Sequence, residues 1–200
     1  KSICWFRNDL RVLDNPALHH CCLNSDDVIA VYFLNRKQWL EHNDAAVKIN
    51  FWLRNLECLQ NELEKLNIPL VILEADTYRD TISVLKDFSI KNEIKNLYFN
   101  VEYPINELER DREIYTLFKE NNIGVFAYHD QVIHEPGSLK TQTGNNFSVY
   151  SPFKRKWFAE LQDEQLNILE IPQKKKEMVI EGTDLSEFLD EFSHDYADQW

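Results

Sequence analysis

Five short apolar runs separated by stretches of helical periodicity constrain this chain more than any other feature. The runs occupy residues 2–6, 28–34, 70–73, 96–100 and 125–128 and are rich in β-branched and aromatic side chains. A short run that is apolar throughout is the pattern of a strand buried on both faces of a parallel sheet. Between the runs lie helix signals. Asn15-Pro16 reads as an N-cap followed by proline at the first helical position. Asp44 opens a long amphipathic stretch whose stripe is Ile49, Trp52, Leu56, Leu59, Leu63 and Leu66, closed by Asn67 and Pro69. Thr77 starts a helix with Ile82, Leu85 and Phe88 on one face, and Pro104 starts another that ends at Asn121, Asn122 and Gly124. Strands alternating with helices predict an α/β fold, a doubly wound five-stranded parallel sheet with helices on both faces, Rossmann-like. Ligands of such sheets sit beyond the carboxyl ends of the strands, which directs attention to residues 7–15, 35–44, 74–77, 101–107 and 129 onward.

Composition then removes several chemistries. The only four glycines are Gly124, Gly137, Gly144 and Gly182, so the first 123 residues hold neither a GxGxxG dinucleotide turn nor a GxxxxGK[ST] phosphate loop. The net charge of −12 argues against a grip on nucleic acid by this chain itself. Residues 163–200 carry eleven Asp/Glu against three Lys, so −8 of that charge belongs to a tail expected to be an extended linker. Cys4, Cys21, Cys22 and Cys58 form no CxxC pair and no secretory segment opens the chain, which predicts reduced thiols in the cytoplasm. No apolar run is long enough for a membrane span.

His19-His20-Cys21-Cys22 has metal-ligating residue types but not the spacing: consecutive helical residues point about 100° apart and cannot converge on one ion. No metal site is expected. A GxSxG elbow is absent, and no Ser or Cys stands in a nucleophile context. Four other segments matter more. Arg7 and Arg11 flank Asp9 just past the first strand, either as ligand contacts or as an Arg–Asp network tying the loop to the sheet. Asn106-Glu107 follows Pro104 at a helix start. A carboxylate there gains from the helix dipole, and its two oxygens also match paired N–H donors such as an aminopyrimidinone edge presents. His42-Asn43 precedes the long helix, within reach of the same crevice or as part of a capping segment ending at Asp44. Phe147, Tyr150, Phe153 and Trp157 make an aromatic segment beside Lys154-Arg155-Lys156, read as packing against a neighbouring domain.

Together, WFRNDLRVLDNPAL (5–18), EHND (41–44), FNVEYPINELERDRE (99–113) and TGNNFSVYSPFKRKW (143–157) resemble the DNA photolyase/cryptochrome family, in the order of its N-terminal antenna-binding domain. The pattern is most similar to the bacterial cyclobutane-pyrimidine-dimer photolyases that carry a folate antenna. The resemblance implies light-driven DNA repair, with reduced FAD in a C-terminal helical domain splitting the dimer and 5,10-methenyltetrahydrofolate in this domain feeding excitation to it. Carried over, Glu107 and Asn106 bind the pterin, His42 and Asn43 line the same cleft, and Arg7, Asp9 and Arg11 are scaffold near it. It further implies that residues 1–161 are the antenna domain and 162–200 an interdomain linker. The FAD domain, and with it the contact to damaged DNA, would lie downstream, so that the 200 residues alone form an inactive monomer without nucleic acid. A cryptochrome-type photoreceptor shares the domain, and a universal-stress-type nucleotide-binding module is the alternative of another class.

Overall fold

A computed structural model describes residues 1–191 of the chain. The elements run β1 (Ser2–Trp5), α1 (Pro16–Asn24), β2 (Val28–Leu34), α2 (Arg36–Glu41), α3 (Ala46–Lys65), β3 (Leu70–Glu74), α4 (Tyr78–Lys91), β4 (Asn96–Asn100), α5 (Ile105–Glu120), β5 (Gly124–Tyr128), α6 (Tyr150–Ala159) and α7 (Ser186–Glu191), with one 3-10 turn at Asp163–Leu166. The five strands form one parallel sheet in the order β3-β2-β1-β4-β5. The sheet therefore runs outward from β1 in both directions, which puts the topological switch point, and the crevice it opens, at the carboxyl end of β1.

Alternation along β1 shows why these runs must be strands. Ile3 and Trp5 face one core, with Ile29, Val31, Phe33, Leu97, Phe99, Ile114 and Phe118. Cys4 and Phe6 face the other, with Leu18, Ala30, Leu53, Leu56, Leu59 and Leu63. Both faces are dry from Ile3 to Trp5, so none of these three positions tolerates a polar side chain cheaply. Local signals set the helix starts. Asn15 caps α1 by accepting from Leu18 N–H, and Thr77 and Asp80 form a reciprocal capping box on α4.

Three expectations need correction. The segment 35–44 is not one loop, because α2 folds within it. Asp44 does not cap α3: Ala45 is the N-cap without a side-chain bond, and Asp44 pairs with Lys48 one turn on. The α3 stripe passes through Leu53 and not Trp52, which is only partly buried. A 3.6-residue period leaves two neighbouring apolar residues competing for one face, and the larger ring takes the rim.

The acidic tail, as far as residue 191, lies along the sheet edge; residues 192–200 fall outside the described part. Thr183 N–H donates to Leu70 O, and its hydroxyl accepts from Ile72 N–H at 2.9 Å, so the strap covers the open side of β3. Gly182 sits against that strand, where a Cβ would lie 3.2 Å from Leu70 O. Leu185 is buried in the α3-side core, and Lys175 Nζ donates to Cys22 O and Ser25 O. No described helix is long and apolar enough to cross a membrane.

Candidate functional site

At the carboxyl ends of β1 and β2 the chain opens a cleft of about 230 Å³. Its wall combines Trp5, Trp39, Trp52 and Tyr32 with Arg7, Lys48, Glu102 and Arg110. A second cleft of about 390 Å³ lies beside it, lined by Gln38, Arg79, Asn106, Glu109 and Glu113 among others. His42 and Arg110 line both, so the two spaces meet at these side chains.

His42 is held there by backbone geometry. It is the C-cap of α2, with its N–H on Gln38 O, and Asn43 follows in the left-handed region at φ 54°. The pair thus ends α2 and does not start α3, because asparagine pays least among side-chain-bearing residues for this reversal. The Asn43 side chain is exposed and lines neither cleft. Asn106 and Glu107 lie in the first turn of α5. Asn106 lines the second cleft; Glu107 is half-buried, outside the lining of both. The Glu107 carboxylate makes no ion pair or side-chain hydrogen bond with any described residue.

Behind the cleft stands a buried charge network. The Arg7 guanidinium donates through both terminal nitrogens to Asp111, at 2.8 Å each, and lies 3.9 Å from Glu102. Arg110 bonds Glu102 at 3.0 Å and Asp111 at 3.1 Å. Burial, and then the neighbouring Arg110, pull the Arg7 pKa down, while Asp111 and Glu102 oppose them. An arginine keeps its proton through such a shift. Arg7 Nε is buried without an acceptor, one donor left over on a residue of the cleft wall.

Asp9 serves a different purpose. Its Oδ1 accepts from Arg7 N–H at 2.8 Å, and its Oδ2 accepts from Asn15 at 3.0 Å and Asn100 at 2.6 Å. Burial raises its pKa, and these three donors hold the rise back. Arg11 reaches outward to Asp130 and to Asp14 O. The two arginines that flank Asp9 in sequence therefore pair with other carboxylates. Asp111, 104 residues from Arg7, carried no local signal of this pairing.

Sequence reasoning missed the indoles. Trp52 had been placed in the core stripe, and Trp39 lay in a presumed loop; the structure sets both on the cleft, ring centroids 6.3 Å apart. Their spacing of thirteen residues across a helix break gives no periodic signal. The aromatic segment 147–157 stays away from the clefts, where Trp157 meets His134 and Phe153 meets Phe147. His19-His20-Cys21-Cys22 spreads as expected, with Cys21 buried and His20 stacked on Tyr128 at 4.5 Å. No group of metal-ligating side chains forms among the described residues.

A family model for DNA photolyase matches residues 2–175. This chain belongs to the DNA photolyase family. The deoxyribodipyrimidine photo-lyase of Buchnera aphidicola from Acyrthosiphon pisum is 35% identical over 177 residues, which is 88% of this chain and 37% of that protein. That of Escherichia coli K12 is 32% identical over 80% of this chain and 34% of its own length. The chain thus spans about a third of the length of the relatives it matches. A class III photolyase from Agrobacterium tumefaciens superposes with a TM-score of 0.72 at 25% identity, covering all of this chain and 41% of the other. A Synechocystis cryptochrome shares the fold, with a TM-score of 0.75 at 17% identity over 92% of this chain and 39% of its own. Membership of this family disposes of the stress-type nucleotide-binding alternative.

Proposed function

We propose that this chain is the light-harvesting part of a deoxyribodipyrimidine photo-lyase, which repairs cyclobutane pyrimidine dimers by light-driven electron transfer from reduced FAD. The names of the relatives, most of them photo-lyases of bacteria, support repair over photoreception. In this reading FAD and damaged DNA are held by the larger share of the family fold that the matched third does not cover, and this chain, a cytoplasmic monomer, contributes the antenna site.

The antenna in this reading is 5,10-methenyltetrahydrofolate, which when bound supplies near-UV absorption and passes the excitation to FAD. The observation that carries it is the half-buried Glu107 carboxylate, which has no ion pair or side-chain hydrogen bond among the described residues and follows directly on Asn106, a residue of the second cleft's lining. Its two oxygens accept the paired donors of the aminopyrimidinone edge, and the Asn106 amide supplies a further donor or acceptor. His42 stands where the two spaces meet and flanks the ring, held by the Asn43 turn. Arg7, Asp9 and Arg11 are scaffold: they fix the loop after β1.

A flat flavin-type antenna is the second reading, favoured by three indoles around one cleft. Titration of the chain with methenyltetrahydrofolate and, separately, with riboflavin, followed by fluorescence anisotropy, separates them. The folate reading expects saturable binding of the first and none of the second at equal concentration. The reverse pattern would give the joined space to a flavin.

A further inference from the structure

The cleft wall brings together the most easily oxidised side chains in the protein and a set of cations. Arg7 Cζ lies 3.9 Å from the centre of the Trp5 ring, and Arg110 Cζ lies 4.7 Å from it. Lys48 Nζ lies 4.5 Å from the centre of the Trp52 ring. All five residues line the same cleft. Each cation is fixed by a carboxylate: Arg7 by Asp111, Arg110 by Glu102, Lys48 by Asp44. The groups that stand over the indole faces are the cations.

We infer that these cations protect Trp5 and Trp52 from one-electron oxidation, so that a chromophore excited in the cleft keeps its energy for transfer. The inference rests on the antenna reading. An excited heterocycle has a vacancy in its lower orbital and is an oxidant. An adjacent indole can fill that vacancy. The indole then becomes a radical cation and the chromophore a radical anion, and the electron returns with the excitation lost as heat. A cation over the ring works against the first transfer in two ways. The ground-state indole is stabilised by the cation–π contact. The oxidised indole carries a positive charge itself, so the same contact becomes repulsive at about 4–5 Å, reduced by the carboxylate paired with each cation. Trp5 is 2% exposed and faces two such cations. A wall needed only to stack a flat ring would not require a cation on each of these indoles.

Lys48 gives the cleanest test, because its side chain is half exposed and stands outside the buried network of Arg7, Arg110, Glu102 and Asp111; its loss takes the ion pair from Asp44 alone. Six proteins suffice: the chain as it is, Lys48→Arg and Lys48→Met, and each of these three combined with Trp52→Phe. In the first arm no antenna is added. Photoexcited lumiflavin, a neutral oxidant, is quenched by each protein, and the part due to Trp52 is taken from the matching Trp52→Phe protein. That part is expected to rise about threefold in Lys48→Met, the equilibrium equivalent of one cation–π contact at a half-exposed site, and to stay unchanged in Lys48→Arg. An equal Trp52 contribution in Lys48→Met and the parent would overturn the inference. In the second arm methenyltetrahydrofolate is bound and its excited-state lifetime recorded. Lys48→Met shortens the lifetime, with a matching indole radical signal, and Trp52→Phe restores it. A lifetime blind to these changes would show that the cations do not serve the chromophore. Absence of folate binding in every protein would instead defeat the antenna reading, leaving the first arm to decide the oxidation of Trp52.

Discussion

Asp9→Asn removes one charge and almost no volume, and it is expected to destabilise the fold. The carboxylate only accepts: Oδ1 takes Arg7 N–H, and Oδ2 takes the amides of Asn15 and Asn100. An asparagine must place its own NH2 against one of these sets of donors. The better orientation turns NH2 toward Arg7 N–H and leaves one buried backbone donor unpaired, a cost of about 1–3 kcal/mol. Relief from burying a charge opposes this, and the three donors already offset part of that burial cost. The pH dependence has a definite sign. The folded pKa of Asp9 is raised, so its contribution to stability is complete below the unfolded value and declines as pH rises through the folded value. The deficit of Asp9→Asn therefore narrows as pH is raised across that window. Urea unfolding of both proteins between pH 4 and 7 measures it. An Asp9→Asn protein as stable as the parent at pH 7, or a deficit that widens with pH, would refute the reasoning.

Other perturbations test other joints. Thr77→Ala opens the capping box on α4 and should cost about 1 kcal/mol in the same assay, with the spectrum of the folded state unchanged. Gly182→Ala pushes a methyl toward the Leu70 backbone and should loosen the strap over β3, seen as faster amide exchange at Ile72, whose N–H bonds Thr183. Lys175→Met removes two bonds to the carbonyls of Cys22 and Ser25 and should free the same strap while leaving α1 intact.

The sheet was legible because each strand obeys a local rule: short, apolar on both faces, bounded by helix caps. Asn15 and Thr77 announced α1 and α4 by chemistry that acts within three residues. The cleft was legible in place but not in content. His42 and Asn106 were recognisable by their loops, and the structure brings both to one joined space, with Glu107 beside Asn106 but outside its lining. The partners of Arg7 were hidden because the pairing spans 104 residues and is made only when α5 packs beside β1. Trp39 was hidden because α2 is six residues long and leaves too short a period to read, and Trp52 because its spacing in α3 also fits the apolar stripe. The acidic tail looked like an extended linker by composition; Met178, Ile180, Leu185, Phe188 and Leu189 pack it against the domain, together with the hydrogen bonds of Thr183 and Lys175.

The central claim is that the Glu107 carboxylate holds a pterin edge, and binding isotherms of methenyltetrahydrofolate for the chain and for Glu107→Gln test it most directly. A charged acceptor replaced by a half-matched amide loses a charge-assisted pair worth about 1.5–3 kcal/mol, which predicts affinity weaker by at least about tenfold with full retention of the fold. Superimposable isotherms for the two proteins would contradict it.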